Sequence, residues 1–143
     1  MLSRSTFLAV ALAAGLLPFA ARAEMMEFDA NLNGASEVPP KESKGTGELK
    51  AMLDSTTKTL TWTLTFAHLT GPATAAHFHG PAAPGANAGV ALPIPGTTSP
   101  DKGSAKLTDA QIADLQAGKW YVNVHTKANP GGEIRGQVMA KGM

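Results

Sequence analysis

Cysteine is absent from all 143 residues. No disulfide can staple this fold and no thiolate can act as nucleophile or metal ligand. A metal bound here must therefore be held by histidine, methionine, carboxylate or water. Excess positive charge is missing as well. The chain carries 12 Lys+Arg against 11 Asp+Glu, with no charge run and no cationic stripe of the kind a nucleic-acid partner demands. Hydrolase and transferase signatures are missing too: there is no Gly-x-Ser-x-Gly elbow and no phosphate-cradling glycine loop opening a helix. Asp109 and Asp114 fall on a short helical pattern and read as solvated. The six methionines are scattered and form no copper-chaperone cluster.

One long apolar run is present, at the N-terminus. Arg4 gives a basic start, residues 6–20 are almost wholly apolar, and Ala21-Arg22-Ala23 fits a small-x-small cleavage site. Residues 1–23 are thus expected to be a cleaved secretory signal peptide, with residues 24–143 forming one domain. The run is short for a membrane span, and without a cysteine at the cleavage point no lipoprotein anchor is expected. Arg4 and Arg22 leave with the signal, so ten cations face 11 carboxylates, a net charge of −1. The expected location is outside the cytoplasm, periplasmic or secreted.

The remaining chain reads as strands. Met26–Asn33 alternates with Phe28, Ala30 and Leu32 inward; Leu49, Ala51 and Leu53 repeat the pattern. Thr59–Phe66 is cleaner still, with large apolar residues at even positions and threonine at odd ones. Pro93 and Pro95 confine residues 90–94 to an edge. Pro100-Asp101-Lys102-Gly103 reads as a turn, followed by a brief extended piece at 104–107. Thr108 and Gln111 form a capping box for one short connecting helix that Gly118 ends. Trp120, Val122 and Val124 mark another strand, and the Asn129-Pro130-Gly131-Gly132 turn leads to a last one at 133–139. About seven short strands between Gly/Pro loops predict an antiparallel Greek-key or immunoglobulin-like sandwich or barrel.

Histidine carries the chemistry. In Ala76-His77-Phe78-His79-Gly80, strand parity sends Phe78 to the core and both imidazoles to the opposite face. In Trp120–Thr126 the same parity groups Tyr121, Asn123 and His125 away from the core. Three imidazoles on the non-core faces of neighbouring strands can chelate one ion. Neutral imidazole suits copper first among divalent ions, with zinc as the alternative. His68 is a fourth candidate, although its parity continues the inward series Leu60–Phe66, so it serves only where that strand has ended. Glu133 is expected to accept an imidazole N–H as an outer partner, and Tyr121 and Asn123 to flank the site on the sheet surface.

These segments carry a resemblance. Glu37-Val38-Pro39-Pro40, Ala76–Ala82, Leu107-Thr108, Tyr121–Thr126 and Pro130–Gln137 together resemble the CHRD domain, a module named for repeats in the animal protein chordin. The resemblance spans Phe28 to about Met139 and implies an immunoglobulin-like or Greek-key β-barrel exported from the cell. It implies no general activity, and chordin's extracellular binding role keeps a non-metal function open. The His-x-His strand is also loosely similar in arrangement to that of copper–zinc superoxide dismutase. That enzyme's bridging ligands and acidic zinc-site residue have no counterparts here. The expected function is an exported copper-binding β-barrel with a copper-handling or redox role in the envelope. The alternative is a metal-free binding or structural module recognising a protein or glycan partner; a homo-oligomer fits either reading.

Overall fold

The computed structural model describes residues 11–18 and 22–142; the segment read as a signal peptide, residues 1–23, lies largely outside them. Eight strands form one antiparallel sheet: β1 (Met25–Asn33), β2 (Thr46–Asp54), β3 (Thr59–Ala67), β4 (Ala73–His79), β5 (Val90–Ile94), β6 (Asp101–Lys106), β7 (Trp120–Thr126) and β8 (Ile134–Ala140). Their order is β5-β4-β7-β8-β1-β2-β3-β6. Although four strands separate β3 from β4 in that order, Trp62 of β3 meets Phe78 of β4 edge-on at 5.5 Å. The sheet has therefore curled until its two ends face each other, a nearly closed barrel with one short helix.

Parity builds the interior as expected. Phe28, Ala30, Leu32, Leu49, Leu53, Leu60, Leu64, Phe78, Trp120, Val122 and Val124 all lie in one buried cluster. The helix α1 (Asp109–Gln116) starts at the expected capping box: Gln111 N donates to Thr108 Oγ1 at 3.2 Å, and Thr108 N to Gln111 Oε1 at 2.9 Å. Gln111 Nε2 also donates to Ala91 O on β5 at 3.0 Å, tying the helix to an end strand of the sheet.

Two local readings change. The turn expected at 100–103 is instead the start of β6, whose Asp101 pairs with Leu64 and Gly103 with Trp62. Cross-strand pairing overrides the turn-forming composition, and the glycine has a packing reason. A Cβ at Gly103 would meet the Trp62 ring at 2.5 Å, closer than any real contact. The second change concerns β7. All seven of its residues are buried, so Tyr121 and Asn123 are not on an open sheet surface. Residues 34–45 and 80–89 fold back over this face. Asn87 Nδ2 donates to Val38 O at 3.2 Å, linking the two covers to each other.

Candidate metal centre

His77 and His79 stand on β4 opposite Asn123 and Tyr121 of β7, while His125 stands opposite the small Ala75. With only a methyl group facing it, the His125 ring can lean toward His77. The three side chains meet: one ring nitrogen from each lies within 4.8 Å of the other two. His68 does not join them. β3 ends at Ala67, and His68 is exposed in a left-handed backbone conformation with φ 60. The strand parity that pointed it inward has lapsed by that residue.

Partners at each ring fix the protons. His125 is 8 % exposed, and its Nδ1 lies 2.8 Å from Pro130 O. A carbonyl only accepts, so Nδ1 carries the proton and Nε2 presents its lone pair. That lone pair faces His77 Nδ1 at 3.0 Å. His79 Nδ1 lies 3.0 Å from Ala88 O and is locked the same way, leaving Nε2 toward the other two rings. His79 also stacks on Tyr121, centroids 4.8 Å apart and planes 2° apart. The Tyr121 hydroxyl donates to the same Ala88 carbonyl at 3.1 Å, and the Arg135 guanidinium lies 3.4 Å over the Tyr121 ring.

His79 Nε2 is 3.0 Å from the Asn123 side-chain amide oxygen. With acceptor oxygens at both nitrogens the ring would need to be an imidazolium. Burial opposes that charge and pulls the His79 pKa below its ordinary 6.5. Turning the Asn123 amide over removes the conflict at His79, because its NH2 then donates to Nε2, at the cost of the longer amide bond to the Gly131 carbonyl; amide oxygen and nitrogen are exchangeable in such an assignment. The amide oxygen would then face Glu37 Oε1 and the Gly131 carbonyl, each at 3.5 Å. Glu37 is only 4 % exposed, and burial raises its pKa above the usual carboxylate range, which favours the protonated acid that this orientation requires. Gly132, at φ 122, is what allows the Glu37 carboxyl in: a Cβ there would collide with Oε1.

Glu133 does not touch an imidazole. Its carboxylate is fully buried and accepts from Ser43 Oγ at 2.9 Å, Thr70 N at 3.0 Å, Thr126 Oγ1 at 2.9 Å, Asn129 Nδ2 at 3.1 Å and the Thr70 hydroxyl. The imidazole N–H it was expected to accept goes to the Pro130 carbonyl instead. Burial alone would raise the Glu133 pKa, but the hydrogen bonds from Thr70, Thr126 and Ser43 prevail and hold it low. Glu37, Arg135 and the Ala88 and Pro130 carbonyls are site components that strand parity cannot reveal. The one hint in the chain is that Glu37 and Arg135 belong to the Glu-Val-Pro-Pro and Gly-Gly-Glu-Ile-Arg-Gly-Gln segments.

Acidification acts on these rings in a defined direction. Burial, then the neighbouring rings, lower the His77 pKa from 6.5, and burial lowers that of His79. Below about 6.5 the unfolded chain therefore binds more protons than the folded one, and stability falls as pH drops through that region. Thermal unfolding of metal-free protein is expected to show a lower Tm at pH 5 than at pH 7.5. The double variant His77→Gln/His79→Gln should flatten the slope; an equal slope in the variant contradicts the assignment.

The described residues contain no helix long and apolar enough to cross a membrane. No curated protein and no solved structure matches the chain. The family model of the CHRD domain matches residues 28–138, a span that begins inside β1, ends inside β8 and includes every residue of the histidine cluster. By that match the chain belongs to the CHRD domain family.

Proposed function

We propose that this protein is an exported copper-binding β-barrel, with His77 Nδ1, His79 Nε2 and His125 Nε2 as the ligand atoms. The observation that carries the reading is the pair of backbone carbonyls, Ala88 O and Pro130 O, that hold the Nδ1 protons of His79 and His125. Metal-bound imidazoles usually have their second nitrogen fixed in this way. The 3.0 Å between His77 Nδ1 and His125 Nε2 suits two ligands each about 2.1 Å from one ion. The third nitrogen must move in slightly, since two such ligands can be no more than about 4.2 Å apart and the widest separation allowed here is 4.8 Å.

Three neutral imidazoles without thiolate or ligand carboxylate favour copper over zinc by intrinsic affinity order. Export is supported by the sequence of residues 1–23, with its basic start, apolar run and small-x-small site. A role in holding or handling copper in the cell envelope fits both features. Cu(II) at 100 times its dissociation constant is expected to stabilise the fold by about 2.7 kcal/mol. That corresponds to a Tm rise of roughly 10 °C for a domain of this size, reversed by chelator. An unchanged Tm with both copper and zinc contradicts the proposal.

A second reading rests on a different observation. The rings also satisfy one another without an ion, through the His77–His125 hydrogen bond and the two partners of His79. On this reading the cluster is a polar brace in a metal-free module that recognises a protein or glycan. It predicts no stoichiometric copper or zinc in protein purified from its native compartment.

A further inference from the structure

Glu133 and Arg135 are two residues apart and 0 % and 2 % exposed; every hydrogen bond they make through their charged groups is to a neutral partner, although the Arg135 charge is felt at Glu37 and His79. Among the described residues neither has an oppositely charged side chain within ion-pair distance; the ion pairs present join Lys50 to Glu48, Lys58 to Asp109 and Lys141 to Glu27. Burying a charge without a directly paired counter-charge is costly, so each must return something that a neutral residue of similar size does not.

What each returns is a loop held in one position. Glu133 gathers Thr126 and Asn129, the two residues that start the β7–β8 turn, and fastens that turn to Ser43 and Thr70. The residue after Asn129 is Pro130, whose carbonyl holds the His125 Nδ1 proton. Arg135 does the equivalent on the other side. Its Nη1 donates to Asn87 Oδ1 at 2.9 Å and its Nη2 to Ala86 O. The residue after Asn87 is Ala88, whose carbonyl holds the His79 Nδ1 proton.

We propose that Glu133 and Arg135 are positioning residues, each using a buried charge to fix the loop whose carbonyl sets the tautomer of one imidazole: Glu133 for His125 through Pro130, Arg135 for His79 through Ala88. A neutral imidazole left to itself divides its proton between its two nitrogens. Locking the proton on Nδ1 keeps Nε2 the acceptor nitrogen, which a metal ion can take over from the hydrogen-bond donor that faces it in the metal-free protein. The device rests on the metal reading for its purpose, but the tautomer lock exists in the metal-free protein and is tested there.

The test is long-range ¹⁵N–¹H NMR of the imidazoles in purified, metal-free protein at pH 7.5. Wild type is expected to show both His79 and His125 protonated at Nδ1. Glu133→Gln, which replaces an acceptor oxygen by a donor, is expected to mix the tautomers of His125 and leave His79 alone. Arg135→Lys, which keeps the charge but loses the fork, is expected to mix those of His79 and leave His125 alone. Copper affinity should fall about 10–100-fold in each. Should either variant fail to fold, Ser43→Ala and Asn87→Ala remove one anchor apiece and carry the same pair of expectations. Unchanged tautomers, or mixing at both rings in both variants, overturns the proposal. Selective mixing with no copper bound by wild type supports the lock and overturns the metal reading instead.

Discussion

Replacing Phe78 by alanine is expected to cost about 3–5 kcal/mol of unfolding free energy, as large aromatic-to-alanine changes in a core do. Phe78 is 0 % exposed and is a contact through which the curled sheet meets itself. It packs edge-on against Trp62 at 5.5 Å and tilted by 40° against Trp120 at 5.7 Å. Both neighbours are rigid rings on separate strands, so the cavity left behind cannot collapse well. The urea midpoint should drop with little change in the slope of the transition. A loss below about 1 kcal/mol would mean that β4 is not pinned to the interior through this residue. It would also remove the reason for His77 and His79 to face the other way.

The second large effect concerns the ligands themselves. His125→Ala is expected to lower copper affinity by more than about 100-fold, because even altering the outer partners of a ligand costs about 10–100-fold. The same variant should fold, since His125 lies outside the hydrophobic cluster and its loss removes only the hydrogen bonds to Pro130 O and His77. His68→Ala is the control. Exposed and away from the trio, it should leave affinity unchanged. Isothermal titration of the three proteins separates the cases, and equal affinity in wild type and His125→Ala contradicts the assigned ligand.

Much of this site is legible from period-two alternation. Phe78 inward forces His77 and His79 to the far face, and Val122 and Val124 inward do the same for His125. Two strands with those parities place the three rings together once they are neighbours. Alternation is silent about what covers the far face. Tyr121 and Asn123 read as surface residues because a single-layer pattern has an open side, yet residues 34–45 and 80–89 close it through hydrogen bonds between segments 33–90 residues apart in sequence, such as Tyr121 to Ala88 and Ser43 to Glu133. The partners of Glu133 escape notice for the same reason, since Ser43 and Thr70 come from loops with no periodic signal. His68 misleads for the opposite reason: the alternation of β3 ends one residue before it, at Ala67, and its own φ is positive. Asp101 shows local composition losing to tertiary pairing, its Pro-Asp-Lys-Gly setting reading as a turn while β3 recruits it as a strand.

The copper reading stands or falls on whether the three imidazoles bind one ion together. Electron paramagnetic resonance of the protein with one equivalent of Cu(II) tests this directly. The expected spectrum carries nitrogen hyperfine structure from the imidazole ligands, and that structure diminishes in His77→Ala/His125→Ala. A spectrum without nitrogen coupling, or one that the double variant leaves unchanged, contradicts copper binding at this cluster.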